Sequence, residues 1–347
     1  MKRVIAFILI IILMPLVIST GCTQAVISES GMISLNNKSS NHSEAAPEQS
    51  NRISIVCTIF PLYDWVRQIL GDKSDTIELV LLLKSRTDLH SYQPSVDDFV
   101  KISACDLFIY VGGESDKWAD DALKDSVNPN MVTLNLLNVL GESVKVEELV
   151  EGMDEENDNA NANAKDTDTE YDEHVWLSLK NARIFCSVIA DVLSTIDSVN
   201  AEDYRRNASA YIEKLSTLDA SYHTLISACS VKTLLFGDRF PFRYLAEDYG
   251  VSYYAAFPGC SAETEASFET IIFLAEKADE LHLRSIIVTE SADQTIANTI
   301  ISNTKEKQQQ ILVLDSMQSV TASDLINGTT YLSIMESNLN VLKEALK

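Results

Sequence analysis

The sequence predicts an α/β protein of two lobes, each a mainly parallel sheet flanked by helices, bridged by a long rigid helix. Three observations predict it. Short β-rich runs alternate with helical stretches, and the whole alternation occurs twice. Runs such as Thr76–Leu83 are apolar but for Thr76 and Glu78, as expected of strands buried on both faces of a parallel sheet. Between the two sets, Trp176–Ala228 is helical in pattern almost without interruption, broken only near Asp197–Asn200.

The elements follow in order. Ile53–Ile59 is a β-rich run, and Trp65, Val66, Ile69 and Leu70 then recur at helical spacing. After the strand Thr76–Leu83, Ser95-Val96-Asp97-Asp98 has the form of a capping box with Asp in place of Glu, opening a helix through Phe99, Val100 and Ile102. Asp106–Val111 and Met131–Leu137 are further strands. The helical region carries one apolar stripe at Ile184, Val188, Ile189 and Val192 and another at Tyr211, Leu215, Leu218 and Tyr222. In the second set, Lys232–Phe236 is a strand and Phe242–Tyr249 a helix stopped by Gly250. The strand Val251–Phe257, a helix over Thr264–Leu281, the strand Ser285–Thr289, a helix over Asp293–Lys305, the strand Gln310–Leu314 and a closing helix Tyr331–Leu346 complete it.

The ends of the chain speak to location. Lys2 and Arg3 precede an apolar run, Val4–Ile18, shorter than the ~20 residues of a membrane span and suited to a secretory signal. Ile18-Ser19-Thr20-Gly21-Cys22 resembles a bacterial lipobox, with Ser19 where Leu is usual, so residues 1–22 are expected to be a signal peptide with Cys22 as the lipidated residue. Residues 23–51, polar and without apolar period, read as a flexible tether reaching roughly 30 Å from the membrane. The expected division of the rest is a first α/β lobe over 52–178, with an acidic, low-complexity loop over 146–173, a helical connector over 179–229 and a second lobe over 230–347. That loop reads as a solvated insertion, or as a weak collector of cations.

The formal net charge is −24, which argues against nucleic acid and against an anionic membrane surface as partner. Besides Cys22 there are five cysteines and no C-x-x-C pair, so a thiolate metal site is not expected. Cys229 and Cys260 flank successive strands and stand either as a disulfide or as two buried thiols.

Ligands of open α/β sheets gather at the carboxyl ends of the strands. His90 follows the strand that ends at Leu83, and His174 stands at the end of the first lobe. Asp238 follows Lys232–Phe236 and Asp315 follows Gln310–Leu314. Two imidazoles and two carboxylates from facing lobes make a complete shell for a divalent transition metal, although each aspartate alone could be a helix N-cap. His223 and His282 fall on helices without partners at ligand spacing, and His42 lies in the tether, so these three are not candidates.

These residues resemble the metal-binding lipoproteins of ABC transporters that import zinc or manganese, over roughly 53–347. Phe60-Pro61-Leu62-Tyr63-Asp64 with Val66, Ile69, Gly71 and Asp72 is similar to the family's opening strand and helix. Thr87-Asp88-Leu89-His90-Ser91-Tyr92-Gln93-Pro94-Ser95 resembles its first His motif, which usually has Pro before the His and Glu at the place of Gln93. His174-Val175-Trp176-Leu177 with Lys180-Asn181-Ala182 resembles its second, the most specific element. Tyr244-Leu245-Ala246 with Tyr249-Gly250 resembles the helix behind its third ligand, and Leu314-Asp315-Ser316 the segment bearing its fourth. The resemblance implies two lobes enclosing a metal at His90, His174, a third residue and Asp315. The family's third ligand falls on Arg239, which cannot bind a cation. Asp238 takes its place if Pro241 marks a one-residue insertion, and Arg239 then pairs with an acidic neighbour. Glu290 matches an acidic residue the family keeps beside the cleft, behind the ligands.

The expected function is that of a monomeric, lipid-anchored substrate-binding protein on the outer face of the cell membrane, delivering its cargo to an ABC permease. Zinc is favoured narrowly, because an N/O site binds Zn²⁺ more tightly than Mn²⁺. Manganese comes next, because zinc-specific members of the family it resembles often have three His ligands and a His-rich loop, and this chain, lacking both, looks more like the manganese type. An adhesin on the same scaffold is the alternative. A secreted metallohydrolase would need an open coordination position and a base, and neither His-Glu-x-x-His nor Gly-x-Ser-x-Gly occurs.

Overall fold

The structure, a computed structural model, describes residues 52–84, 88–153, 170–261 and 265–347. The signal segment, Cys22, the tether and the middle of the acidic loop lie outside the described residues.

Two four-stranded parallel sheets are built with the same topology. The first holds β1 (Ser54–Cys57), β2 (Glu78–Leu81), β3 (Leu107–Tyr110) and β4 (Val132–Asn135) in the order β2-β1-β3-β4. The second holds β5 (Thr233–Phe240), β6 (Ser252–Pro258), β7 (Ser285–Thr289) and β8 (Gln310–Leu314) in the order β6-β5-β7-β8. In each, the chain leaves the first strand to one side and returns to the other. That reversal opens a crevice at the carboxyl ends of β1 and β3, and of β5 and β7. The central strands β3 and β7 are buried at every residue, as their unbroken apolar sequences require.

The helices that matter for the site are α1 (Phe60–Leu70), α2 (Val96–Ala104), α3 (Trp118–Lys124), α4 (Leu136–Leu140), α5 (Leu179–Ile196), α6 (Ala201–Ala228), α7 (Arg243–Tyr249), α8 (Phe268–Glu280), α9 (Thr295–Asn303), α10 (Ala322–Ile326) and α11 (Tyr331–Ala345). The capping box at Ser95 and Asp98 forms as its sequence predicts, and Gly250 ends α7 in the left-handed region at φ 66°. α6 spans about 42 Å at 1.5 Å per residue. Its buried stripe is Tyr204, Ala208, Tyr211, Leu215, Leu218, Tyr222 and Ile226. One end reaches the first sheet's side, where Asn207 Nδ2 donates to Ile69 O at 3.0 Å. The other reaches α11, where Tyr222 donates its hydroxyl to Met335 O at 2.6 Å.

Three local expectations shift. β4 stops at Asn135, because the Asn135 side chain accepts from Asn138 N and starts α4, so residues 136 and 137 are helical. α5 buries Phe185, Cys186, Ile189, Ala190 and Leu193, and Ile184 of the expected stripe is exposed. β5 runs past Phe236 to Phe240, with a register irregularity between Phe236 and Arg239. Asp238 and Arg239 therefore sit in the strand, not beyond it.

A buried polar knot ties the last helix to the first. Asp64 Oδ2 accepts from the first amide of α11, Tyr331 N, at 2.9 Å, and the Tyr331 hydroxyl donates to Trp176 O at 2.7 Å. Trp65 packs edge-on to Tyr331, ring centroids 5.1 Å apart. Arg67, 2.6 Å from Asp64 Oδ1, compensates the buried carboxylate.

Candidate metal centre

His90 and His174 meet. His90 sits in a single 3₁₀ turn, Leu89–Ser91, whose N-cap Asp88 accepts from His90 N at 2.9 Å. His174 precedes a second such turn, Val175–Leu177, and is fully buried. Their Nε2 atoms lie 3.1 Å apart. Two nitrogens sharing one tetrahedral zinc at ~2.0–2.1 Å stand roughly 3.3 Å apart, so this spacing suits a single ion between them.

Each ring is held from behind through Nδ1. Asp172 Oδ1 lies 3.0 Å from His174 Nδ1 and also accepts from His174 N at 2.9 Å. Ser115 Oγ lies 2.7 Å from His90 Nδ1, with Glu173 Oε2 3.7 Å away. At His174 this is the carboxylate–imidazole arrangement that turns Nε2 toward a cation, and at His90 a hydroxyl holds the ring instead. Ser115 is itself placed by the loop after β3. The Asp116 carboxyl folds that loop back by accepting from Val111 N at 2.8 Å and Gly112 N at 3.1 Å, and Glu173 Oε1 accepts from Ser115 N at 3.0 Å.

The electrostatics separate the two rings. Burial, followed by the charge of His174, brings His90 down to about 3, so its imidazole is a neutral donor. Burial alone would also lower His174, but the charge and hydrogen bond of Asp172, with Glu173, overcome it and hold His174 above the ordinary histidine value. The two Nε2 atoms face each other across the position an incoming cation would take.

A third donor lies beside them that the sequence did not single out as a ligand. Cys260 Sγ and one ring nitrogen of each histidine all lie within 4.8 Å of one another. Cys260 follows β6, and its N–H donates to Glu147 Oε1 at 2.8 Å. Burial, then Glu147 and Asp172, push its thiol up. Gly259 lets the β6 end press on the imidazole: a Cβ there would stand 3.1 Å from His174 Cε1 and 2.9 Å from Phe240 O. Cys229 and Cys260 are both free, and Cys229 Sγ donates to Leu225 O, so the disulfide reading falls away.

The two expected aspartates are not brought into this cluster. Asp238 Oδ2 accepts from Thr289 N at 2.9 Å and from the Thr289 hydroxyl, clasping β5 to β7 across the crevice of the second sheet. Its commitment to Thr289 follows from the longer β5. Asp315 Oδ1 accepts from Met317 N at 2.7 Å, and Asn338 clamps its backbone through Asp315 N at 2.9 Å and Asp315 O at 2.8 Å. Burial and the charge of Glu290 raise the Asp315 carboxyl to about 7. Glu290 accepts from Ser316 N at 2.8 Å, Gln318 N at 3.1 Å and Ser319 N at 3.2 Å, organising the loop after β8. That loop touches the site through its backbone, where Trp176 Nε1 donates to Ser316 O at 2.9 Å. Arg239 pairs with Asp88 at 2.6 Å, the acidic neighbour its place in the sequence called for.

Asp172, Glu173, Ser115 and Cys260 were the site residues not picked out in advance. Only Asp172 and Glu173 carried a signal, standing directly before His174.

A family model described as zinc-uptake complex component A periplasmic (ZnuA) matches residues 55–345. The zinc-binding lipoprotein AdcA of Streptococcus pneumoniae is 32% identical over 297 residues, 86% of this chain and 56% of that protein. The chain thus spans little more than half the length of that streptococcal relative. The high-affinity zinc uptake system protein ZnuA of Bacillus subtilis is 31% identical over 302 residues, 87% of this chain and 90% of that protein. Among solved structures, the Zn(II)-bound ZnuA-like domain of S. pneumoniae AdcA matches with a TM-score of 0.65 at 29% identity, covering 85% of this chain and 99% of that chain. The laminin-binding protein Lmb of Streptococcus agalactiae matches with a TM-score of 0.66 at 22% identity, a likeness of fold alone. With a match over residues 55–345 and these relatives, the chain belongs to the zinc-uptake complex component A (ZnuA) family.

Proposed function

We propose that this protein is the extracellular, lipid-anchored binding component of a zinc importer. It captures Zn²⁺ between its two lobes and hands the ion to an ABC permease as a monomer, without a chemical step. The observation that carries this reading is the pair of Nε2 atoms 3.1 Å apart, each ring held from behind by an oxygen hydrogen-bonded at Nδ1. The site suits capture rather than hydrolysis, since both imidazoles are aimed at one point and their carboxylate neighbours are engaged in positioning them. In this reading the lobes divide at residues 178 and 230, Cys22 carries the lipid, and the acidic stretch between 146 and 173 is a solvated insertion. His90 and His174 are the imidazole ligands. Asp238 holds the second sheet together, and Asp315 with Glu290 shapes the loop under Trp176.

Zinc is favoured over manganese by the donor chemistry, since imidazole suits zinc and manganese prefers oxygen. Zinc titration against a competing chelator, with elemental analysis, tests the reading. The wild-type chain is expected to bind one zinc, and His90→Ala and His174→Ala to lose it. Zinc at a hundredfold its Kd should stabilise the fold by about 2.7 kcal/mol. A wild-type chain that takes up no zinc would sink the proposal.

A further inference from the structure

We infer that Cys260 is the third ligand, its sulfur joining the two imidazoles in a set of three protein donors at the carboxyl end of β6. The inference rests on the metal-binding reading and adds the donor that decides which metal is kept.

Three observations carry it. Sγ is already grouped with a nitrogen of His90 and a nitrogen of His174 inside 4.8 Å. Zinc bonds of ~2.3 Å to sulfur and ~2.0–2.1 Å to nitrogen need only a small further approach. Second, the turn bearing Cys260 is held on both sides. Cys260 N is bound to Glu147, and Arg239 Nη1 donates to Ser261 O at 3.2 Å while Arg239 Nη2 holds Asp88, the cap of the His90 turn. The same guanidinium therefore sets the distance between the Cys260 turn and the His90 turn. Third, the backbone of Gly259 lies against the His174 ring, in space that a side chain would fill. The turn is positioned by the site and not merely near it.

The chemistry is simple to balance. Binding breaks the S–H bond, forms an S–Zn bond, releases the proton to solvent and frees one water from the hydrated cation. A soft thiolate favours Zn²⁺ strongly over Mn²⁺, whose preference is for carboxylate, carbonyl and water. The specificity of this site then resides in Cys260, with the imidazoles supplying affinity common to several transition metals.

Cobalt(II) is the probe, because thiolate-to-cobalt charge transfer absorbs in the near ultraviolet. The full wild-type chain loaded with Co²⁺ is expected to show that band. Cys260→Ser should lose the band while still binding Co²⁺, and its zinc affinity should fall by roughly tenfold or more. Cys260→Asp, which keeps a charged donor, should lose the band and narrow the gap between zinc and manganese affinities. If wild type binds Co²⁺ without the band, or the band survives in Cys260→Ser, Cys260 is not a ligand and the metal-binding reading stands without it. If wild type binds neither Co²⁺ nor Zn²⁺, the metal-binding reading fails and takes this inference with it.

Discussion

Arg239 Nη2 stands 2.6 Å from Asp88 Oδ2, and Asp88 Oδ1 in turn accepts from His90 N at 2.9 Å. One carboxylate thus joins a strand of the second sheet to the turn that presents His90 from the first. The pair is part-buried, with side chains 19% and 21% exposed, so it is screened less than a surface bridge. Its larger consequence is positional. Arg239→Ala should leave the fold intact and weaken zinc binding by roughly tenfold, the cost of removing a group that orients ligands. Arg239→Lys should rescue little, because a lysine cannot hold Asp88 and Ser261 O together as the fork does. Chelator competition measures both, and unchanged affinity in Arg239→Ala would dismiss the coupling.

Asp172 acts on the other imidazole. Its charge raises His174, and its Oδ1 fixes both the ring and the backbone of that residue. Asp172→Asn keeps an oxygen in place and removes the charge. Zinc affinity should drop by roughly 10–100-fold while the thermal midpoint without metal moves little. A variant with wild-type affinity and a lowered midpoint would show Asp172 to be purely structural.

Asp238→Ala should do the reverse. Thr289 is 3% exposed, and removing its acceptor leaves a buried amide and hydroxyl without their partner. The expected cost is about 1–3 kcal/mol of stability, read by urea denaturation, with zinc affinity in the folded variant within a few-fold of wild type. A selective loss of zinc would restore Asp238 as a ligand.

The histidine half of the site was legible because its signals are local. An imidazole after a buried strand, another just before a helix and acidic residues beside the second are all visible along the chain. The approach of Cys260 was not. Cys260 meets the imidazoles only because the Gly259 backbone packs against His174, a contact made by folding. Asp238, expected just beyond its strand, lies inside it for a related reason. Gly237 ends the apolar run Leu234–Phe236 and reads as a strand end, yet β5 continues through it. A Cβ at Gly237 would lie 2.7 Å from Ala297 Cα, so this glycine serves the close approach of α9 and does not break the strand. The repeated β–α–β order came through well, and β3 and β7 are buried at every residue as their apolar runs imply, whereas β2, expected to be buried on both faces, is an edge strand buried only at Leu81. α3 was missed, because its short amphipathic sequence sits between two strong strands.

Asp116 supplies a pH signature independent of metal. Its carboxyl is 2% exposed and pushed up to about 7, with burial the main cause, although Val111 and Gly112 donate to it. An unfolded aspartate titrates near ~3.9. Between those values the folded protein holds a proton that the unfolded chain has lost. Stability therefore falls as pH rises from about 4 to about 7. Asp315, raised in the same direction, adds to the slope, so the difference between two proteins isolates Asp116. Asp116→Asn keeps an acceptor for the two amides and cannot ionise. Its urea midpoint should change less with pH than that of wild type, the two curves diverging by on the order of 2–4 kcal/mol across the window. Parallel curves would mean that Asp116 is ionised throughout, and that the loop presenting Ser115 to His90 is held by a carboxylate and not by a carboxylic acid.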